Sequence, residues 1–260
     1  MEIFKKFFKT HTENNTRQKY THNRKAHEVA SQLQQRLNLY FSDVSLIITA
    51  LKHRSYLNVS NEDRIASNER LEFLGDAVLD LIVTHFLYNK FPKRTEGQLS
   101  KIKSILISKP VLAEIAMKLE LGDYVLINKG EEKTGGRKRQ SILADCFEAI
   151  IGAIYLDKGL EEAQRFVETH LLSCFKSIMQ RELFKNYKSI LLEYAQSQLG
   201  VLPEYRLVKE SGPDHDKKFE ISVFLKGEKV GTGVGRSKKT AEQEAAKIAT
   251  RKLGLHNPTI

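Results

Sequence analysis

The stretch 68–88 reads NERLEFLGDAVLDLIVTHFLY, apolar enough for a core helix yet interrupted by Glu69, Glu72, Asp76 and Asp80. At about 100° per residue, these four acids fall within roughly 80° of arc on one helical face. Ionised carboxylates in a low-dielectric setting are costly unless positive charge compensates them, and neighbouring ones repel each other as well. Arg70, the basic residue nearest in sequence, points elsewhere on the wheel. An acidic stripe can be no more than a solvated face, but a second stretch of the same character argues against that here. Residues 142–157, ILADCFEAIIGAIYLD, are again mostly apolar and carry Asp145 and Glu148 at an i, i+3 spacing. Two such helices facing each other would build a four-carboxylate cage, which is how helical folds make metal sites. Hard oxygen ligands on rigid elements predict Mg²⁺, with Mn²⁺ as a substitute, rather than zinc.

The 260 residues allow one large domain or two modest ones, and a hydrophobic content of 41% supplies real cores. No apolar run is long enough for a membrane span, so no membrane association is expected. The N-terminal MEIFKKFFKTHTENN has lysines but no long apolar core or small-residue cleavage site, and is not expected to be a secretory signal. Cys146 and Cys174 are the only cysteines, without a Cys/His cluster; reduced core thiols in a cytoplasmic protein are expected. The net charge of +10 is unevenly spread: 7 basic against 2 acidic residues in 1–25, 22 against 21 in 26–186, and 13 against 9 in 187–260. A near-neutral centre with basic ends suits a catalytic body with polyanion-gripping arms, and suits any basic soluble protein too.

Along the chain, residues 1–25 are polar, basic and rich in Asn and Thr, the composition of a flexible tail. Helical periodicity covers 24–40 and 43–53, the latter capped by Ser42 or Asp43. Residues 54–68 read as a loop, at whose end Ser67 or Asn68 caps the acidic helix; Pro92 ends that helix. Further helices are predicted over 98–108, 109–120 and 160–185, with an irregular, glycine-bearing basic stretch over 121–141. No strand pattern occurs before residue 200, so this part is expected to be all-α. From 187 the pattern changes: a helix over 187–199, then EYRLVKE, KFEISVFLK and KVGTGVG, separated by Gly212, Pro213, Gly227 and Glu228, and a last helix over 237–253. That α-β-β-β-α order predicts a small α+β domain, a three-stranded sheet with helices on one face. The expected division is therefore 1–25 tail, 26–182 helical domain and 187–255 α+β domain, joined by a short hinge.

Four motifs occur in the order of a known family: ALKHRSYLN at 50–58, NERLEFLGD at 68–76, KGEEKTGGRKRQSILADCFEAIIGAIYLD at 129–157 and GRSKKTAEQEAA at 235–246. On these, the chain resembles the ribonuclease III family, in its bacterial form with one nuclease domain followed by one double-stranded-RNA-binding domain. The resemblance implies an all-α ribonuclease III-type nuclease domain that cuts duplex RNA with a divalent metal. It also implies 5′-phosphate and 3′-hydroxyl ends, in the processing of ribosomal RNA precursors and other structured transcripts. Glu72, Asp76, Asp145 and Glu148 match the family's metal-binding and catalytic carboxylates. Of these, Asp145, Glu148 and Glu72 are expected to hold metal directly, and Asp76 to hold it or orient a water. Glu69 and Glu96 match further acids of the catalytic valley, whereas Asp80 has no acidic counterpart and is read as structural. No organic cofactor is implied. Family members are homodimers in which each subunit cuts one strand, and Phe73 matches an aromatic that plugs a pocket on the partner; on the residues alone Phe73 reads as core.

A-form RNA hides its base edges in a deep, narrow groove, so phosphates, 2′-hydroxyls and shape must carry recognition. Lys238 and Lys239 open the last helix, where the helix dipole also favours phosphate, with Arg236 just ahead. By resemblance, Ser189, Gln196 and His215 reach the minor groove, with Glu193 on the same helical face. Leu192 stands where some relatives carry a polar contact. The EEKTGGRKRQ segment is expected to be a flexible loop near the RNA. The competing function is a non-catalytic double-stranded-RNA-binding dimer, and retention of all four carboxylates favours the enzyme.

Overall fold

The computed structural model describes residues 24–181, 186–213 and 216–255. Nearly all of the expected basic tail, residues 182–185 of the hinge expected near 182–187, and His215 lie outside the described residues. The chain divides into two compact units, Met1–Ile178 and Met179–Ile260.

The described residues of the first unit are mainly helical, the last of its helices ending at the boundary with the second. Its helices are α1 (24–37), α2 (Val44–Leu51), α3 (Leu57–Ser60), α4 (Glu69–Lys90), α5 (Glu96–Leu106), α6 (Lys109–Lys118), α7 (Leu121–Tyr124), α8 (Lys129–Lys133), α9 (Gln140–Lys158), α10 (Leu160–His170) and α11 (Phe175–Met179). Among the described residues of this unit the nearest thing to a strand is one isolated bridge between Lys52 and Leu126. Helix α9 is the hub: Leu143, Phe147, Ile150 and Ile154 are fully enclosed. A helix that is apolar on all sides belongs in the middle of its unit. It packs most extensively on α4 and also meets α2, α6 and α10.

Local signals set the ends of these helices. The Asp43 side chain accepts from Ser45 N to cap α2. Thr95 and Gln98 form a reciprocal capping box on α5, starting it two residues before the periodicity predicts. Several sequence expectations are corrected. The 54–68 stretch is not an open loop but a chain of short helical turns. Neither Ser67 nor Asn68 caps α4 with its side chain; Asn68 instead donates its backbone N–H to the Lys52 carbonyl. The 160–185 helix is broken after His170 and resumes at Phe175.

The second unit is the expected α-β-β-β-α: α12 (Tyr187–Tyr194), β1 (Glu204–Ser211), β2 (Lys218–Leu225), β3 (Glu228–Gly235) and α13 (Lys238–Lys252). Both strand pairs are antiparallel, in the order β1-β2-β3. Helix α12 widens into a π-turn over Ala195–Leu199 and stops at left-handed Gly200. Lys226 and Gly227, both at positive φ, make the tight turn between β2 and β3, so Glu228 begins a strand rather than sitting in the turn. Helix α13 lies directly on the sheet; a Cβ at Gly233 would sit 2.2 Å from Ala245 N. No helix among the described residues is long and apolar enough to cross a membrane.

Candidate active site

The two acidic helices meet at glycine. A Cβ at Gly75 of α4 would lie 1.8 Å from the Glu148 carbonyl oxygen of α9, and one at Gly152 would lie 2.3 Å from the Leu71 carbonyl oxygen. The two backbones therefore touch, and the side chains flanking the crossing are forced to share one small volume. These include the expected acids. Glu72, Asp145 and Glu148 each offer a carboxylate oxygen, and all three lie within 4.8 Å of one another.

Electrostatics follow from this crowding. Glu148 is only 7% exposed. Burial, and then the charges of Asp76, Asp145 and Glu72, push its carboxyl up to about 8. Glu72 is raised by the same kind of causes, burial first and then Asp145. Asp76 is thus the neighbouring charge that weighs most on Glu148, although it is not one of the three converging carboxylates. Glu148, Glu72 and Asp76 make no side-chain hydrogen bond or ion pair with any described residue. Three converging carboxylate oxygens, one of them on the buried residue Glu148, form a donor set that fits a hard divalent cation.

This produces a testable pH dependence. Between about 4.5 and about 8, folded Glu148 keeps a proton that the unfolded chain has released. The sign is therefore that metal-free protein loses stability as pH rises through that window, and is fully favoured only below it. Thermal melts in EDTA should show a midpoint falling from pH 5 to pH 8, with a shallower fall for E148Q. Parallel slopes for the two proteins would contradict this burial of Glu148.

The other expected acids are placed differently. Glu69 faces Arg64 Nε at 3.2 Å and Arg54 at 4.0 Å, next to the converging oxygens but turned to its own cations. Asp80 pairs with Lys103 at 2.8 Å, a structural role. Glu96 stands apart in the first turn of α5, where its carboxylate accepts from Ser100 Oγ at 2.7 Å. It borders a separate groove of about 670 Å³ between α4 and α5, with Tyr88, Phe91 and Lys103. Phe73, which reads as core on the residues alone, is 81% exposed.

Sequence reasoning missed three residues. Lys109, at the start of α6, places Nζ 3.0 Å from Asp145 Oδ1. His53 and Arg139 join Arg54, Glu72, Glu131 and Asp145 around a hollow of about 250 Å³ beside the cage. His53 is half-buried, and burial holds its imidazole below the usual range. The HRS run at 53–55 carried the signal for His53; nothing in the spacing of Lys109 pointed to Asp145. The EEKTGGRKRQ segment is folded rather than a flexible loop. Arg137 donates to the carbonyls of Gly122 (2.8 Å) and Val125 (3.0 Å), and Arg139 pairs with Glu131. These bonds hold the segment down through backbone acceptors that sequence does not advertise.

In the second unit, Lys238 and Lys239 are exposed at the start of α13, where Ser237 caps the helix by accepting from Thr240 N. Arg236 is exposed and faces Asp216 at 3.7 Å. Ser189, Leu192 and Lys239 line one hollow of about 460 Å³, closed on its other side by Tyr205 and Gln243. Glu193 and Gln196 are exposed on α12 and the turn that follows it.

Comparison with known proteins gives concordant matches to both units. A family model described as Ribonuclease-III-like matches residues 43–174, and one for the double-stranded RNA binding motif matches residues 187–253. Ribonuclease 3 of Fusobacterium nucleatum subsp. nucleatum is 45% identical over 223 residues, 86% of this chain and 95% of that protein. Ribonuclease 3 of Sulfurovum sp. is 47% identical over 223 residues, 86% of this chain and 97% of that protein. Among solved structures, the nuclease domain of ribonuclease III from Campylobacter jejuni is 45% identical, with a TM-score of 0.49 over 54% of this chain and 96% of that one.

Proposed function

The chain belongs to the ribonuclease III family of endoribonucleases, and we propose on that footing that it is a divalent-metal-dependent enzyme cutting double-stranded RNA to 5′-phosphate and 3′-hydroxyl ends. The observation that carries this reading is the convergence of Glu72, Asp145 and Glu148 at the α4–α9 crossing. Those three carboxylates would hold Mg²⁺, or Mn²⁺ in its place, with Asp76 beside them. Bound there, the cation would neutralise charge at the scissile phosphate and acidify a water for attack on phosphorus. The chain's own part is to hold the ligands rigid through helix packing, to keep water out from beneath Glu148, and to let Asp76 orient the attacking water. Glu69 adds negative charge at the rim, and we assign Glu96 an accessory part in the same valley.

The second domain supplies the grip on duplex RNA. Lys238, Lys239 and Arg236 present cations at a capped helix start, suited to phosphates across a groove. Glu193 and Gln196 are exposed on the neighbouring helix and the turn that follows it, with Ser189 partly exposed beside them; we assign these minor-groove contacts and extend that role to His215. We take the domains as 26–182 and 187–255. The substrates we assign are ribosomal RNA precursors and other structured transcripts in the cytoplasm, whose stems offer A-form duplex whatever their sequence.

A homodimer completes the reading. Phe73 leaves a large aromatic face in water at a cost of about 2 kcal/mol, which burial against a partner subunit would recover. One compact cage cannot reach both strands of an A-form helix, whereas a two-fold pair can. The test is a cleavage assay on a uniform RNA duplex, its single strand and the matching DNA duplex, with Mg²⁺ and with EDTA. Cutting confined to duplex RNA and dependent on Mg²⁺ is expected, from a species that sediments as a dimer. Binding without cutting in either Mg²⁺ or Mn²⁺ would favour the non-catalytic alternative.

A further inference from the structure

One cation reaches into a cage otherwise built of anions. Lys109 opens α6, which packs against α9, and its Nζ lies 3.0 Å from Asp145 Oδ1. The same ammonium offsets the mutual repulsion of the carboxylates at Glu72 and Glu148. Its side chain is 60% exposed, so the charge arrives from the solvent side on a flexible stem, with Asp145 as its hydrogen-bond partner.

Resting on the reading of this cage as a divalent-cation site, we propose that Lys109 is a built-in counter-ion that competes with the metal for Asp145 and so sets the affinity of the cage for its cation. The reasoning is electrostatic. An oxygen already accepting from an ammonium is a poorer metal ligand, and an ammonium about one ligand's width from a divalent ion repels it. Without any cation, the charges of Glu72 on α4 and Asp145 on α9 would repel each other across the crossing, and Lys109 limits that repulsion. The residue type suits the task. A lysine ammonium is a compact point charge on a mobile four-carbon stem and can be displaced, whereas a forked arginine would bind the carboxylate bidentately and resist release. An exposed pair of this kind is weak, which is what a displaceable stand-in requires.

Two opposite effects follow from removing the charge. In K109Q the metal-free protein should melt at a lower temperature in EDTA, while its Mn²⁺ dissociation constant should fall by about threefold to tenfold. A purely structural role for Lys109 would weaken both. The experiment counts free Mn²⁺ by electron paramagnetic resonance during titration of the full chain without RNA, for wild type, K109Q, K109R and E148Q, with melts alongside. Tighter Mn²⁺ binding by K109Q, with K109R closer to wild type, supports the proposal. Equal or weaker binding by K109Q, while E148Q loses binding, overturns the counter-ion role and leaves the cage standing. Indistinguishable titrations for wild type and E148Q would remove the cage reading and the proposal together.

Discussion

The E148Q variant is expected to bind duplex RNA with close to wild-type affinity and to cut it more than about a hundredfold more slowly. Changes to groups that merely support a metal ligand already cost about 10- to 100-fold, and Glu148 is itself one of the three converging carboxylates proposed to hold the metal. The substitution is isosteric and removes a charge that burial already disfavours. The fold should therefore tolerate it, and the EDTA melt at pH 8 should rise rather than fall. Loss of cleavage with a gain in metal-free stability is a signature that general destabilisation cannot imitate. Single-turnover cleavage with saturating enzyme, paired with a filter-binding curve, separates the two steps. Wild-type rates would remove Glu148 from the site.

Gly75→Ala tests the architecture beneath that site. Helix propensity alone favours alanine over a mid-helix glycine by about 1 kcal/mol. The packing predicts the opposite sign, because the new Cβ would lie 1.8 Å from the Glu148 carbonyl oxygen. That contact is with backbone, so no side-chain rotation relieves it; α4 and α9 must separate. Overpacking of this kind costs about 3 kcal/mol, a large share of a domain's typical 5–15 kcal/mol. The same separation spreads Glu72 from Asp145 and Glu148, and misplacing a reacting group by about 1 Å can cost about 100-fold in rate. Denaturant unfolding of the variant should thus show a lower midpoint, with a cleavage rate down by at least that factor at temperatures where it remains folded. A midpoint at or above wild type would mean that the close crossing of α4 and α9 is wrong.

Much of the fold and part of the site were legible in the chain because they rest on periodicity and local chemistry. The 3.6-residue pattern located α4 and α9, the alternation after residue 200 located the three strands, and the Ser237 cap lies where the last helix is predicted to start. Reading acids against those patterns picked out Glu69, Glu72, Asp76, Asp80, Asp145 and Glu148, since a carboxylate inside an apolar helical stretch is anomalous whatever it packs against; the family resemblance narrowed them to Glu72, Asp76, Asp145 and Glu148. The sequence by itself therefore determined the two-domain composition and the set of acids from which the candidate ligands come. What only the tertiary structure decided is which charges face which. Glu69 and Asp80 lie on the same helical face as Glu72 and Asp76, yet Arg64 and Lys103 draw them into separate ion pairs. Lys109 reaches Asp145 across 36 residues of chain, and Phe73 stands exposed although it reads as core. Hydrophobic periodicity fixes the face on which a residue lies. Electrostatic partnership depends on distances of a few ångströms that only the folded chain sets, and the convergence of Glu72 on Asp145 and Glu148 exists only once Gly75 and Gly152 have let the two helices touch.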